Sequence, residues 1–247
     1  MPTLSAALLL LGGFLAALLT LAWLSRQISL HIQLPVYRLT RSKDAPTLAI
    51  FLVFLPGVLV HEAAHWLAAR LLGLKTGKFR VWPKRQGKHI GLGSVSVESR
   101  DTLTDSLVGM APLAAGSALV ALIGNYIFNA YAVAGTLAQG RILEGFRAFW
   151  LALGEPDGAL WAYLLFAIAN AMMPSASDRE PVKPVLLYAG VAAALYLLLG
   201  LPLNPVASLM LWMTPLLENL SSAFLFTIVL DVAALAVLYL VKIVVAR

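Results

Sequence analysis

The chain has 247 residues, of which 60% are hydrophobic and only 12% charged, and its mean hydropathy is +0.85. A soluble domain would carry about a quarter charged residues, so this composition excludes an ordinary soluble protein and predicts an all-α polytopic membrane protein. The formal net charge of +6 does not indicate nucleic-acid binding, because membrane proteins hold basic residues in their cytoplasmic loops.

About six segments are apolar enough to cross a bilayer as helices of roughly 20 residues each. In chain order they are 4–24, 46–74, 103–123, 158–173, 182–201 and 222–245. The segments between them are short, so we expect one membrane domain over 1–247. The loop 75–100 is the richest in Lys and Arg, which favours a cytoplasmic location for it and for both termini. No organelle signal is evident, so we expect a prokaryotic plasma membrane.

Between these segments, two stretches alternate polar and apolar residues, the pattern of half-buried strands. The first is 27–34. The second is 78–97, in which Pro83, Gln86 and Gly87 supply a turn, and we interpret it as a membrane-associated β-hairpin. The segment 142–153 indicates a short interfacial helix. The segment 204–220 contains Pro205 and Pro215 and is expected to lie along the membrane interface.

The motif His61-Glu62-Ala63-Ala64-His65 lies inside the apolar segment 46–74. Histidines four residues apart project from one face of a helix and can bind one metal ion, and His-Glu-x-x-His is a zinc-hydrolase motif. Glu62 would be the general base that takes a proton from a metal-bound water. Ionisable residues at membrane depth are costly unless they serve a site, and this setting favours function over a chance match.

A catalytic zinc needs a third protein ligand, for which the sequence offers two aspartates. Asp178 follows segment 158–173 after Pro174, which ends or breaks the helix. Asp231 lies in the middle of segment 222–245, where it could instead be a buried partner for a polar group of another helix. His31 and His89 are poor candidates, because one lies in the 27–34 stretch and the other in the basic hairpin.

With these motifs, the chain resembles the site-2 protease family of intramembrane zinc metalloproteases. The segment from His61 to Gly73 is similar to the extended first motif of that family, and Gly109-Met-Ala-Pro112-Leu-Ala is similar to the segment that opens its next span. The stretch from Asn170 through Pro174 to Asp178 resembles its second motif. Together these matches cover a catalytic core from about residue 46 to residue 180.

The resemblance implies a zinc-dependent endopeptidase that cuts transmembrane segments of membrane proteins, with one zinc per chain. It implies that His61, His65 and Asp178 bind the metal and that Glu62 is the catalytic base. It also implies that the hairpin lies beside the active site and holds the substrate extended by strand addition. The supporting or substrate-binding residues expected on this basis are Asn170, Pro174, Gly91, Gly93 and Ser94.

Two departures from the family pattern leave alternatives open. Pro174 lies four residues after Asn170 where the family usually has three, and Arg179 replaces the glycine that follows the aspartate. A non-catalytic membrane scaffold that keeps the protease fold is therefore a second hypothesis. A third is a zinc or proton transporter with His61, His65 and Asp231 as its relay.

Overall fold

The computed structural model describes residues 4–80, 82, 84–86, 89–91 and 94–245. The helices are α1 Leu4–Thr40, α2 Ala45–Val53, α3 Leu55–Leu71, α4 Thr102–Leu122, α5 Ala130–Ala138, α6 Ile142–Leu153, α7 Gly158–Ala171, α8 Ala176–Arg179, α9 Val182–Leu198 and α10 Asn204–Val245. A π-helical turn, Ile123–Ile127, extends α4. The strands are β1 Thr76–Arg80, β2 Lys84–Gln86, β3 His89–Gly91 and β4 Ser94–Val97.

Four helical segments in the described part of the chain are long and apolar enough to cross a membrane. They are α1, α4 with its π-helical turn, α8 joined to α9, and α10. The pairs α2–α3 and α6–α7 also pass as apolar segments, but they are bent by 81° and 107°. The count is six if each bent pair is one span, so the prediction of an all-α polytopic membrane protein is confirmed. The bend in predicted span 46–74 falls at Phe54, two residues before Pro56.

The predictions for two segments between the spans are wrong. The stretch 27–34 is not a strand but part of α1, because Ile28 and Ile32 lie four residues apart and pack together against Phe51 and Phe54. Packing of this helical face outweighs the alternating pattern. The segment 204–220 is not a separate interfacial element but the first half of α10, which continues through Pro215. Pro205 lies in the first turn, where its missing N–H costs no helical hydrogen bond.

Helices α1 and α10 pack side by side and run in the same direction. The Phe14 ring stacks on Phe224 with centroids 5.6 Å apart, and the His31 ring lies 6.4 Å from that of Tyr239. The beginning of α1 and the end of α10 therefore lie at opposite ends of this pair. That arrangement does not support the prediction that both termini are cytoplasmic, because parallel spanning helices leave these two ends on opposite sides.

The four strands form the predicted hairpin over 78–97 as two antiparallel pairs, β1 with β4 and β2 with β3. The outer pair begins at Thr76 opposite Val97 and has an irregular register before Phe79. Between the two pairs, the Trp82 ring makes an edge contact with Phe51 of α2 at a centroid distance of 5.4 Å. The hairpin thus folds back along α3 and reaches an apolar helix of the bundle.

Candidate metal centre

His61 and His65 both lie on α3, one helical turn apart, as their spacing predicts. Their Nε2 atoms are 3.2 Å apart, and their side chains are only 14% and 12% exposed. The two imidazoles therefore point at one spot within the bundle. Glycine at position 57 lets α7 approach this helix, because a Cβ there would lie 2.0 Å from the Ala167 carbonyl oxygen.

Asp178 meets the two histidines from the one-turn helix α8. Its Oδ1 lies 3.4 Å from Nε2 of His65, and its Oδ2 lies 3.7 Å from Nε2 of His61. One nitrogen from each histidine and one carboxylate oxygen all lie within 4.8 Å of one another. Three metal-ligand side chains predicted from the sequence therefore converge, and together they could hold a metal ion.

A capping box aims the Asp178 carboxylate. The Ser175 N–H donates to Asp178 Oδ2 at 2.8 Å, and the Asp178 N–H donates to Ser175 Oγ at 3.3 Å. Ser175 is not among the site residues predicted from the sequence. The Ser-x-x-Asp spacing was the available signal, since a hydroxyl residue three positions before an acidic residue marks a helix start.

Backbone carbonyls orient both imidazoles. His61 Nδ1 donates to the Ala171 carbonyl at 2.7 Å, and His65 Nδ1 donates to the Val108 carbonyl at 2.9 Å. A carbonyl can only accept, so each Nδ1 carries a hydrogen, and in its neutral form each ring presents a lone pair at Nε2. Two lone pairs and a carboxylate facing one another repel unless a cation lies between them. This donor set fits a metal ion on its own chemistry.

The Ala171 carbonyl is available because α7 stops there. Pro174 has no N–H to donate to the Asn170 carbonyl, which instead accepts the Ser25 hydroxyl at 2.9 Å. The next N–H, that of Ser175, goes to the Asp178 carboxylate and leaves the Ala171 carbonyl free for His61. Pro174 therefore supports the site by ending α7 at the level of the metal ligands.

The Asn170 side chain does not contact the candidate metal ligands but pairs with Asp231, the other aspartate considered as third ligand. Its Nδ2 donates to Asp231 Oδ1 and to the Phe166 carbonyl, each at 2.9 Å. Both neighbours accept, so the amide orientation is fixed, and Oδ1 is buried with no hydrogen-bond partner among the described residues. Asp231, 1% exposed, is thus a buried partner for another helix and lies outside the group of metal-ligand side chains.

Glu62 follows His61 on α3 and is 8% exposed. Its carboxylate makes no hydrogen bond within the part of the chain that the structure describes, although it is close enough to interact electrostatically with His61, His65 and Asp178. A carboxylate so placed has its lone pairs free to accept a proton. The prediction of a general base beside the metal ligands is compatible with this geometry.

A cavity of about 290 Å³ lies against two of the three candidate metal ligands. His65 and Asp178 form part of its wall, and Val97 of β4 forms another part.

Of the predicted hairpin residues, Ser94 lies in β4 opposite Arg80 and Gly91 lies in β3 opposite Lys84, whereas Gly93 is outside the described residues. Arg179, at the position where site-2 proteases have glycine, is exposed and its Nε donates to the Ser175 carbonyl.

Comparison with known proteins yields no relative from which a role could be transferred. No protein-family model matches the chain, no curated protein matches it, and no solved structure matches it. The resemblance to site-2 proteases therefore stays a prediction that rests on the residue patterns in this sequence.

Proposed function

We propose that this protein is a zinc-dependent endopeptidase that hydrolyses peptide bonds in transmembrane segments of other membrane proteins. The observation that carries the proposal is the convergence of His61, His65 and Asp178 from two separate elements. Glu62 lies on α3 with the two histidines. This donor set lies within apolar sequence, where ionisable groups are expensive unless they have a use.

The spacing of the donors suits zinc. Two ligands of a tetrahedral zinc, each bound at about 2.0–2.1 Å, lie about 3.3–3.4 Å apart. The two Nε2 atoms are separated by 3.2 Å, and the carboxylate oxygens approach them at 3.4 and 3.7 Å. A zinc ion held by these three side chains would keep a fourth position for water, acidify that water and polarise a peptide carbonyl.

The side chains of this chain supply the proton transfers. Glu62 would accept a proton from the attacking water and return it to the amine that leaves, as a general base and then a general acid. The hydrogen bonds from Nδ1 to the Ala171 and Val108 carbonyls would hold the imidazoles through the reaction. Burial of these groups would exclude bulk water and strengthen each electrostatic interaction.

The strand β4 offers a place for the substrate. A peptide bond inside a helix is shielded, so the substrate must be extended before it can be attacked. Among the described residues β4 pairs only with β1, and Val97 at its end borders the cavity beside His65 and Asp178. An extended peptide added to the open edge of β4 would be fixed by main-chain hydrogen bonds next to the metal ligands.

The test uses Glu62→Gln, which keeps the shape of the side chain and removes its basicity. Purified protein is reconstituted in liposomes with a panel of tagged single-span membrane proteins, and fragments are identified by mass spectrometry. We expect cleavage to fall at least a hundredfold, since general base catalysis contributes about 10²–10⁴. Zinc should remain at about one ion per chain. Glu180→Gln, an exposed carboxylate close to Asp178, should cleave like the wild type.

Zinc content tests the metal site, and cleavage by zinc-loaded wild-type protein separates this proposal from the non-catalytic scaffold. His61→Ala and Asp178→Ala should lose the ion, whereas Asp231→Ala should keep it. Zinc bound by the wild type, with no cleavage of any panel member by wild-type protein, would favour the scaffold. Cleavage by Glu62→Gln at the wild-type rate would refute the mechanism.

A further inference from the structure

His65 relies on a backbone carbonyl in the interior of a helix. Its Nδ1 donates to the Val108 carbonyl at 2.9 Å, and Val108 lies within α4, which runs on to Leu122. Carbonyls inside an α-helix are normally taken by the N–H four residues later. The residue four positions after Val108 is Pro112, which has no N–H.

We infer that Pro112 is a positioning residue for the metal centre, because it leaves the Val108 carbonyl without a helical donor and thereby fixes the orientation of His65. The ring of a helical proline also clashes with the carbonyl four residues earlier and tilts it away from the helix axis. The tilted carbonyl holds the hydrogen of His65 on Nδ1, and Nε2 is left to face Asp178. The inference rests on the proposed metal site but not on proteolysis.

The second histidine is held in the same way, which supports this reading. The Ala171 carbonyl is also deprived of its helical donor, because the Ser175 N–H goes to the Asp178 carboxylate. It accepts His61 Nδ1 instead, at 2.7 Å. Each of the two imidazoles on α3 is therefore oriented by a carbonyl of a neighbouring helix, α4 or α7, that has no N–H donor within that helix. At membrane depth a carbonyl left without a donor is costly, and the histidine side chain relieves that cost here.

The chain contains a matched control. Pro215 lies inside α10, where it deprives the Leu211 carbonyl of its donor in the same way. Pro215 is exposed, and no side chain among the described residues donates to Leu211. Pro215→Ala should therefore restore a helical hydrogen bond without any consequence at the metal centre.

The experiment compares Pro112→Ala with Pro215→Ala and the wild type in detergent. Zinc affinity is measured by competition with a chromogenic chelator, and the unfolding temperature is measured in the same samples. Pro112→Ala should weaken zinc binding about tenfold, the lower end for groups hydrogen-bonded behind metal ligands. Its unfolding temperature should equal or exceed that of the wild type, because α4 regains an N–H donor. Pro215→Ala should bind zinc like the wild type.

A tautomer measurement makes the result independent of zinc. In metal-free protein with ¹⁵N-labelled histidine, NMR should show His65 with its hydrogen on Nδ1 in the wild type and a mixture of tautomers in Pro112→Ala. If Pro112→Ala does not fold, Pro112→Val replaces it, because valine better fills the volume of the proline ring. Pro112→Val should show the same mixture of His65 tautomers. Wild-type zinc affinity and an unchanged tautomer in the folded variant would overturn the inference. Failure of the wild type to bind zinc would instead count against the proposed function.

Discussion

Substitution of Gly109 by alanine should displace Asp178, the proposed third metal ligand. A Cβ on Gly109 would lie 2.3 Å from the Asp178 carbonyl oxygen and 3.4 Å from its Cα. Ordinary van der Waals contact begins at 3.4 Å, so α4 and α8 must separate by about 1.1 Å. Neither neighbour is the end of a flexible side chain, and the strain of such overpacking is typically about 1–3 kcal/mol.

That strain acts on a group whose geometry the metal requires. A carboxylate moved by about 1 Å can no longer complete a ligand set whose distances must hold within about 0.2 Å. If the strain is relieved by lost coordination, zinc affinity should fall about fivefold to 150-fold, at about 1.4 kcal/mol per tenfold change. Chelator competition measures the affinity, and thermal unfolding of metal-free protein measures the strain that remains in the fold.

Gly190→Ala is the matched control for this prediction. It is also a helical glycine, in α9, and a Cβ there meets nothing within 4 Å. Alanine at that position should stabilise the helix slightly and leave zinc affinity unchanged. A Gly109→Ala protein that folded, kept wild-type zinc affinity and unfolded at the wild-type temperature would contradict this prediction, because the close approach of α4 to Asp178 would then be of no consequence.

Two further substitutions test the residues around the ligands. Ser175→Ala removes the hydroxyl that caps the Asp178 N–H but keeps the backbone N–H bond to the Asp178 carboxylate. Zinc affinity should therefore fall by about fivefold, the equivalent of about 1 kcal/mol for a lost cap. An affinity as low as that of Asp178→Ala would contradict this expectation. Asp231→Ala removes the acceptor for the Asn170 amide. The free energy of unfolding should fall by about 1 kcal/mol, as for other hydrogen bonds between membrane helices, and zinc should be retained. Loss of zinc, measured by elemental analysis, would contradict the geometry.

The sequence alone predicts the fold class and the first half of the site, because both depend on local patterns. Long apolar segments with few charges can only be membrane helices, and histidines four residues apart must share a helical face. The stretch 27–34 shows where local pattern fails. It alternates like a strand, yet Ile28 and Ile32 pack as one helical face on Phe51, and that contact is distant in sequence.

The third ligand could not be chosen from spacing within one element. Asp178 and Asp231 are both acidic residues in or next to apolar segments, and either could reach a metal through the fold. The distinction lies in tertiary contacts, since Asp231 is already taken by Asn170 and Asp178 is turned inward by Ser175. The carbonyls that hold the histidines carry no side-chain signal at all. Only the positions of Pro112 and Pro174 relative to the ligands hint at them.

The placement of the site follows from a cost that membranes impose on broken helices. A carbonyl without a helical N–H partner is costly where water is excluded, unless another donor reaches it. The carbonyls of Asn170, Ala171 and Val108 each accept a hydrogen from a side chain, and the donors are Ser25, His61 and His65. Two of these donors are the imidazoles whose other nitrogen faces Asp178. The interruptions that destabilise α4 and α7 thus also orient the metal ligands, so restoring either helix should stabilise the fold and weaken the site.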